Sequence, residues 1–587
     1  MNGWNPRLFP AARASSNLLP SASADALKGA AVPPGFVRRL LHGGALGLLA
    51  LLVLHVALTL PDRAGAGAGS LLRFPVELPA IVLALALIPA SLWPAFRMLA
   101  AGLLGLVVAL KAASLAADVA LARPFNLLLD MHLAKASFDL LAGTLGRPGA
   151  VAVFALAASA LIAFGLALFW AIGWLRPDAS MRRPAISLAA LATVSVIAVH
   201  LLSPAGTPAM TTAATSALVE RQVTLLRDGL IDRRLFRSAL SDDPVADLPI
   251  AVRLNRLSGQ DVLVLFVESY GRASLDDPRY APTVRAALDD FERKAKGAGF
   301  QSRSAWLTSP IFGGQSWLAH ATLLSGLRIG HQRRYESLVA SDRQTLVDDF
   351  ARAGWRTLAV MPAITQPWPE SGFYGFDRIL EAADLGYRGE PFNWITMPDQ
   401  FTLAALRRLE LDRPDRPPVM ATVALISSHA PWTPIPPLLG WSDLGDGSVF
   451  TPYARAGDPA PVVWSDPERV RAQYLKSIDY VLRMLASYAA AHGDDDHGTV
   501  FIIVGDHQPA RIVAGEAGSQ DVPIHILARD PAVFAAIADW GWSTGMRPGM
   551  ASPVWAMEDF RARFVTAFTS SDLKSQGHAR LGAGQGD

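Results

Sequence analysis

The 587-residue sequence predicts an α-helical membrane domain of five spans followed by an α/β domain with a mostly parallel central sheet. Hydrophobic residues make up 51% of the chain, and the mean hydropathy is +0.27, which is high for a soluble protein. Long apolar runs fill the first third of the chain. From Val252 onward, short apolar runs alternate with amphipathic helical segments, which is typical of βαβ units. The two patterns predict two structural parts.

Each of the five predicted spans is close to the roughly 20 residues needed to cross a bilayer core. They are Phe36–Leu60, Leu78–Phe96, Leu99–Leu121, Ala150–Leu175 and Ala185–Leu202. The first run is also compatible with a signal peptide. A long polar leader before it and four apolar runs after it favour a membrane span.

These spans define five predicted segments. Residues 1–35 form a disordered cytoplasmic leader rich in Ser, Ala and Pro, and residues 36–203 form the transmembrane domain. Residues 204–250 form an amphipathic connector that lies either near lipid headgroups or against the following domain. Residues 251–569 form the α/β domain, and residues 570–587 form a disordered tail.

Basic residues near the spans predict the orientation. They concentrate in the leader (Arg7, Arg13, Lys28, Arg38, Arg39) and after the fourth span (Arg176, Arg182, Arg183). Both segments should therefore be cytoplasmic. Five crossings then place the α/β domain on the outer side of a bacterial inner membrane, in the periplasm or outside the cell.

Charge and cysteine content restrict the chemistry. Lys and Arg number 53 against 51 Asp and Glu, so the chain lacks the basic excess of a nucleic-acid binder. Cysteine is absent, which excludes disulfides and thiolate metal ligands. Any metal must be bound through oxygen and nitrogen.

Apolar runs and periodicity locate the elements of the α/β domain. The predicted strands are Asp261–Val267, Thr357–Met361, Val419–Ile426, Thr499–Val504 and Val522–Leu527. The predicted helices are Ala281–Gly297, Ser316–Leu324, Gln344–Ala353, Asp399–Leu409 and Pro467–His492.

Polar side chains follow two of these strands at their carboxyl ends. Glu268 follows the first strand, and Asp506 and His507 follow the strand that ends at Val504. Ligands of open α/β sheets gather at this edge, and carboxylate with imidazole suits a divalent cation. The sequence therefore predicts a metal site built by Glu268, Asp506 and His507.

A candidate nucleophile lies between them in sequence. Phe312–Trp317 is a glycine-rich turn that leads into a helix, and it places the hydroxyl of Ser316 at the helix N-terminus. Backbone N–H groups and the helix dipole there favour an alkoxide or a bound phosphate. Coordination to a cation would lower the serine pKa. The alternative is a plain N-cap.

Three motifs together resemble a known family. Val267-Glu268-Ser269-Tyr270-Gly271, the Gly-Gly-Gln-Ser316 turn and Gly505-Asp506-His507 are similar to the membrane-bound, sulfatase-like branch of the alkaline phosphatase superfamily. That branch includes lipoteichoic acid synthases, phosphoglycerol transferases and phosphoethanolamine transferases.

The resemblance implies an alkaline-phosphatase-like fold, a Mn²⁺ or Zn²⁺ cofactor bound by Glu268, Ser316, Asp506 and His507, and Ser316 as the nucleophile. It also implies that His429 contacts the substrate phosphate and acts as general acid. A loop histidine bonded to backbone is the alternative for His429.

The chain departs from the family pattern in several places. The transferases usually carry threonine where Ser316 stands, and Trp317-Leu318-Ala319-His320 does not match the sulfatase signature. Phosphoethanolamine transferases generally have disulfides, which this chain cannot form. The His and Arg that bind glycerol phosphate in lipoteichoic acid synthases are missing from Met361–Trp368, which leaves the headgroup open.

Further substrate-binding candidates are polar residues near the three motifs: Arg272, His320, Arg328, His331 and Gln508. Arginine is suited to gripping phosphate. For the arginines the alternative is solvated surface, and for the histidines it is a structural role.

These features predict metal-dependent transfer of a phospho-headgroup from a membrane phospholipid to a glycan or lipid acceptor through a phosphoserine-type intermediate. A membrane-anchored hydrolase of phosphate esters, or less readily of sulfate esters, is the first alternative. A catalytically inactive membrane scaffold is an alternative from another class.

Overall fold

The computed structural model describes residues 34–63, 65, 68–121, 125–127, 129–131, 133–203, 210–492, 498–515 and 519–570. The described chain divides into two compact units, within residues 1–116 and 137–220 and within residues 117–136 and 221–587. We call them the helical unit and the sheet unit. The predicted leader and tail lie almost entirely outside the described residues.

Long apolar helices dominate the N-terminal part of the chain. They are α1 (Pro34–Thr59), α2 (Glu77–Leu87), α3 (Trp93–Leu121), α4 (Leu133–Trp174) and α5 (Arg182–Leu202). A short parallel pair joins β1 (Phe74–Pro75) to β2 (Thr211–Thr212). Helix α4 is interrupted at Gly146, which has a φ of 73°, just before Pro148. The core of the helical unit includes Leu54, Leu85, Trp93, Leu168 and Ile172.

Three of the described helices are long and apolar enough to cross a membrane: Ala90–Val119, Leu145–Trp174 and Arg182–Leu202. Shorter apolar helices cover Gly44–Thr59 and Glu77–Leu87. The predicted span Leu78–Phe96 is not one helix, because the chain becomes extended at Ile88 before Pro89. Five spans are therefore not found among the described residues.

The predicted connector contains a long helix, α6 (Ala214–Ser241). Val223, Leu226, Leu230 and Leu235 on this helix are exposed. Arginines 221, 227, 233, 234 and 237 lie along the same helix. The amphipathic character of the connector and its alternative placements stay predictions.

A nine-stranded sheet forms the centre of the sheet unit. Its strands are β3 (Asp261–Val267), β4 (Gln301–Thr308), β5 (Arg356–Met361), β6 (Arg378–Glu381), β7 (Val419–Leu425), β8 (Thr499–Gly505), β9 (Asp521–Ala528), β10 (Ser543–Thr544) and β11 (Val554–Ala556). The order is β10-β4-β9-β8-β3-β7-β5-β6, and β11 pairs with β4.

The sheet is mixed, whereas the sequence predicts a mostly parallel one. Strands β8, β3, β7, β5 and β6 are parallel neighbours, but β9 is antiparallel to both β8 and β4. The antiparallel pair β8–β9 joins two predicted strands whose direction the apolar pattern does not specify, and β4 adds a further antiparallel pair that the sequence did not predict. Its sequence, QSRSAWLT, alternates polar and apolar residues at first and lacks the continuous apolar run of the central strands.

Helices cover both faces of this sheet. They are α7 (Ala273–Asp276), α8 (Ala281–Gly297), α9 (Ser316–Ser325), α10 (Gln332–Val339), α11 (Leu346–Arg352), α12 (Asp399–Leu406), α13 (Thr451–Ala454), α14 (Ala460–Trp464), α15 (Pro467–His492), α16 (Arg511–Ala514), α17 (Pro531–Ala536) and α18 (Asp559–Phe568). A π-helical turn, Arg407–Leu411, continues α12.

The central strands are buried on both faces. Along β3, Leu263, Leu265 and Val267 pack in one core with α8 and α15, whereas Val264 and Phe266 pack in the other core with α9 and α18. Because both faces of β3 are buried, its sequence is a nearly continuous apolar run. The bounds of β3 agree with the prediction.

Candidate active site

The registers of three neighbouring strands bring the predicted site residues to one edge of the sheet. Val267 of β3 pairs with Gly505 of β8 on one side and with Leu425 of β7 on the other. The residues that follow these strands, Glu268 and Asp506 among them, therefore lie next to each other. This is the carboxyl edge of the parallel half of the sheet.

The carboxylates and the imidazole converge closely there. One ligand atom each from Glu268, Asp506 and His507 lies within 4.8 Å of the others. His507 Nε2 is 3.2 Å from Glu268 Oε1, and all three side chains are buried. The hydroxyl of Ser316 donates to Glu268 Oε2 at 2.7 Å and is 3.1 Å from His507 Nε2. The four predicted metal-site residues thus form one cluster, which we call the carboxylate–serine cluster.

The serine points into this cluster and does not cap its helix. Helix α9 begins at Ser316, and the preceding residue, Gln315, occupies the cap position with a left-handed φ of 65°. Gly313 and Gly314 also have positive φ values, 72° and 134°. Glycine adopts such angles without strain, so the turn can present Ser316 at the helix N-terminus. The N-cap interpretation is wrong.

Three serines outside the predicted set of site residues hold the two carboxylates in place through hydrogen bonds. The backbone N–H of Ser269 donates to Asp506 Oδ1 at 2.8 Å, and its hydroxyl donates to Glu268 Oε1 at 3.1 Å. Ser428 and Ser309 donate to the backbone carbonyls of Glu268 and Asp506, each at 2.6 Å. Scattered single serines carry no sequence pattern, so only the structure identifies them.

The site's charges are strongly coupled. Burial raises the pKa of Asp506 well above its ordinary value, and the negative charge of Glu268 adds to this. Burial also acts on Glu268, but the charge and hydrogen bond of His507 hold the Glu268 pKa well below its ordinary value. For His507, burial opposes protonation, while both carboxylates outweigh it and raise the pKa to about 9. The cluster therefore favours positive charge at its centre.

The donor set fits a divalent cation. Two carboxylates, one imidazole and one hydroxyl are oxygen and nitrogen donors suited to manganese or zinc. His507 Nδ1 donates to the carbonyl of Gln508 at 2.7 Å, which leaves Nε2 directed at the cluster as a ligand atom. Glu268, Ser316, Asp506 and His507 would hold the ion.

His429 lies in the loop after β7. Its side chain is exposed, and Nδ1 donates to the carbonyl of Ala430 at 2.5 Å, which leaves Nε2 for a substrate. The buried carboxylate of Asp399 accepts the N–H groups of Ile426 and Ser427 and so fixes the start of this loop. Asp399 was missed because it lies in an ordinary helix N-terminus, 30 residues before the histidine it positions.

A cavity of about 270 Å³ adjoins the carboxylate–serine cluster. Glu268, Ser316, Asp506 and His429 line its polar end. His320 also lines it and stacks on Phe266, with ring centroids 4.0 Å apart. Burial lowers the pKa of His320 to about 4, so this ring is neutral at physiological pH. His320 therefore lines the cavity as a neutral ring, and its substrate role stays a prediction.

Four other candidates have structural contacts and do not line this cavity. Arg272 pairs with Asp276 at 2.7 Å and with Asp521 at 3.0 Å. Arg328 lies 3.7 Å from Glu558.

The remaining two are similarly engaged. His331 caps α10 and lies 3.2 Å from Asp232. The buried amide of Gln508 donates to the carbonyl of Asp521 at 2.9 Å and accepts the N–H of Ala273. Each of these four side chains contacts a partner elsewhere in the domain, and their substrate roles stay predictions.

Comparison with protein families supports the resemblance seen in the motifs. The family model described as Sulfatase matches residues 260–533, which contain the whole carboxylate–serine cluster. Residues 260–533, just under half of the chain, are similar to the sulfatase family, and we call this segment the sulfatase-family domain. The resemblance to the sulfatase-like branch of the alkaline phosphatase superfamily is confirmed. No curated protein sequence matches the chain.

Several solved structures are similar to the sulfatase-family domain. The lipoteichoic acid synthase LtaP of Listeria monocytogenes has 12% identity, a TM-score of 0.37, and a match covering 58% of this chain and 78% of that one. The phosphoglycerol transferase GacH of Streptococcus pyogenes has 13% identity, a TM-score of 0.34, and coverage of 49% and 75%. The zinc complex of the periplasmic domain of EptC from Escherichia coli has 12% identity, a TM-score of 0.34, and coverage of 52% and 80%.

Proposed function

We propose that this protein is a membrane-anchored, metal-dependent transferase that moves a phospho-headgroup from a membrane phospholipid to a glycan or lipid acceptor. The observation that carries the proposal is the position of Ser316 Oγ, 2.7 Å from Glu268 Oε2 and 3.1 Å from His507 Nε2 at the start of α9. A hydroxyl held among metal-type ligands at a helix N-terminus is suited to attack on phosphorus.

In the first half-reaction, the Ser316 hydroxyl gives its proton to its hydrogen-bond acceptor, Glu268 Oε2, and Oγ forms a bond to the phosphorus of the donor. The bond from phosphorus to the diacylglycerol oxygen breaks, and His429 Nε2 donates a proton to that oxygen. A bound divalent cation, manganese or zinc, would neutralise negative charge on the serine oxygen and on the phosphoryl group. The backbone N–H groups at the start of α9 favour the same negative charge.

In the second half-reaction, an acceptor hydroxyl forms a bond to the phosphorus, the bond to Ser316 Oγ breaks, and Oγ takes its proton back from Glu268 Oε2. His429, now deprotonated, takes the acceptor's proton. The hydrolase alternative differs only in that water replaces the acceptor, and the residues of the site serve both reactions. Retention of the whole carboxylate–serine cluster disfavours the inactive scaffold.

The membrane placement belongs to the same proposal. Three apolar helices of membrane-spanning length support an anchored enzyme whose donor is a lipid. We place the N-terminus in the cytoplasm and the sulfatase-family domain in the periplasm or outside the cell, from the distribution of basic residues in the sequence.

The proposal is tested with the full-length protein in lipid nanodiscs, loaded with Mn²⁺ or Zn²⁺ and given phospholipid labelled in its headgroup phosphate. We expect acid-stable label on Ser316, found by peptide mass spectrometry, and a labelled glycan or lipid product when an acceptor extract is added. Free labelled headgroup phosphate alone would indicate the hydrolase. Label elsewhere, or none, would contradict the proposal.

Two serine variants sharpen this test. Ser316→Ala should lose labelling and turnover, whereas Ser316→Thr should keep a measurable fraction of both, because it retains the hydroxyl. Ser337→Ala is the control, since this exposed serine on α10 bonds only to the carbonyl of Arg333 and should leave turnover unchanged.

A further inference from the structure

The cavity beside Ser316 has a wall of aromatic rings. Trp317, Tyr335, Trp368, Tyr374 and Phe376 line it, and we call these five residues the aromatic wall. The rings of Trp368 and Tyr374 lie 6.0 Å apart, and those of Tyr374 and Phe376 lie 5.8 Å apart. The rings of Trp368, Tyr374 and Phe376 are thus neighbours in the lining of the cavity beside the nucleophile.

The aromatic part of the cavity lacks cationic side chains, and the protonated His429 of the proposed reaction lies at the polar end. No lysine or arginine is among the described residues that line the cavity, and His320 is neutral for the reason given above. Aliphatic residues, including Leu324, Met361 and Ile364, complete the lining. A substituent that carries an anion, or several hydroxyls that need hydrogen-bond partners, would lose hydration here without compensation.

A carboxylate lies in the turn between two rings of the aromatic wall, because Glu370 is part of the 3-10 turn Pro369–Phe373 that connects Trp368 to Tyr374. Burial is the main cause that raises the pKa of the Tyr335 and Tyr374 hydroxyls, and the negative charge of Glu370 contributes to both shifts. Glu370 is half-buried, and no described lysine or arginine forms an ion pair with it. The field at the wall therefore favours a positive charge.

We propose that the aromatic wall binds the trimethylammonium group of a choline headgroup whose phosphate lies at Ser316. A quaternary ammonium is weakly hydrated, offers no hydrogen-bond donor, and is attracted by the faces of Trp and Tyr rings within about 6 Å. A primary ammonium has three N–H donors to satisfy, and the wall offers two tyrosine hydroxyls that already hydrogen-bond to each other. The inference rests on the proposed function and specifies the donor as a phosphocholine ester.

The test uses four phosphodiesters with one leaving group, p-nitrophenol. Their second substituents are choline, its neutral isostere 3,3-dimethylbutanol, ethanolamine and glycerol. The isostere replaces the nitrogen of choline by carbon, so the comparison isolates the charge. Turnover is measured with the full-length, metal-loaded protein in nanodiscs, and the Ser316→Ala variant gives the background.

We expect kcat/KM for the choline ester to exceed that for the isostere by roughly 3- to 30-fold, as a cation–π contribution implies. Ethanolamine and glycerol esters should be poorer than both. Trp368→Leu keeps an apolar side chain but removes the ring, and it should bring the choline-to-isostere ratio close to one. Glu370→Gln should lower the same ratio.

Trp394→Leu is the matched control, because this tryptophan is 64% exposed and does not line the cavity, and the ratio should stay at its wild-type value. A readout apart from turnover is calorimetry of phosphocholine and of glycerol phosphate with the Ser316→Ala variant. Phosphocholine should bind more tightly, and Trp368→Leu in the same background should remove the difference.

The outcomes separate the two proposals. Ser316-dependent turnover that prefers glycerol, ethanolamine or the isostere would overturn the choline assignment and leave the proposed function standing. Preference for the isostere would show that the wall binds an uncharged apolar group. Turnover of none of the four esters, or turnover that survives Ser316→Ala, would overturn the proposed function and the choline assignment with it.

Discussion

A β-carbon added to Gly505 would lie 1.9 Å from the backbone carbonyl oxygen of Tyr270. This close approach joins the end of β8 to the turn after β3. It is the contact that lets Asp506 and His507 meet Glu268. The glycine of the Gly-Asp-His motif is therefore required by backbone packing and not by a direct part in chemistry.

Gly505→Ala should destabilise the protein and displace Asp506 and His507, because no flexible side chain is available to yield. We expect a loss of roughly 1–3 kcal/mol, measured as a lower midpoint in thermal denaturation, together with reduced turnover. Gly372→Ala is the control, since a β-carbon there meets nothing within 4 Å and the midpoint should barely change. Equal midpoints for the two variants would contradict this account.

Asp506→Asn should weaken metal binding, because it removes a negative charge from a cluster that needs a cation. The metal content of the purified protein, measured by inductively coupled plasma mass spectrometry at limiting Mn²⁺ or Zn²⁺, should fall at least about tenfold. A chelator should lower the thermal midpoint of the wild type but hardly that of the variant.

The control for metal binding is Glu390→Gln. This carboxylate pairs with Arg455 at the surface and takes no part in the cluster, so the metal content should equal that of the wild type. Unchanged metal content in Asp506→Asn would remove the carboxylate–serine cluster as the metal site.

Asp349→Ala should strongly destabilise the sheet unit. Its buried carboxylate is 2.9 Å from both Arg253 and Arg561, which are themselves buried. Without this carboxylate, two buried guanidinium groups each lose an ion-pair partner, which costs about 3–5 kcal/mol. The midpoint of thermal denaturation measures the loss.

The surface pair of Asp290 and Lys294, also 2.9 Å apart, provides the comparison, and Asp290→Ala should cost less than about 1 kcal/mol. A small effect of Asp349→Ala would show that the buried arginines find other partners.

His525 predicts a loss of stability in acid. Burial lowers the pKa of this ring to about 3, and its nitrogens contact Ser304 Oγ at 2.7 Å and the Tyr270 hydroxyl at 3.3 Å. The ordinary value of 6.5 applies to the unfolded chain, so the unfolded state binds more protons between pH 6.5 and 3. The free energy of unfolding therefore decreases as the pH is lowered through that window, by up to about 1.4 kcal/mol per pH unit.

His525→Gln should flatten this dependence, because glutamine does not titrate. The measurement is the thermal midpoint of wild type and variant from pH 7 to pH 5. Loss of the hydrogen bonds of His525 lowers the midpoint of the variant at every pH. The test therefore compares the slopes of midpoint against pH for the two proteins and not the midpoints themselves. Parallel slopes would contradict the assignment.

Much of the sheet unit follows from local sequence. Strand β3 and helices α8 and α15 have the bounds that periodicity predicts, because both faces of β3 and one stripe of each helix are buried. Strand β4 was absent from the predicted strands, and Leu78–Phe96 was predicted as one span but is not one helix, for a related reason. Their outcome depends on neighbours, and on one proline, more than on the apolar pattern.

The sequence by itself determined the residue types of the site and the edge where they would gather, since a polar residue directly after a buried parallel strand has one place to lie. The tertiary structure alone decided that Ser316 faces Glu268 and does not cap α9, and that Arg272, Arg328, His331 and Gln508 turn elsewhere. It also decided that aromatic rings line the cavity. Side-chain direction and partners depend on residues far away along the chain, and no local pattern records them.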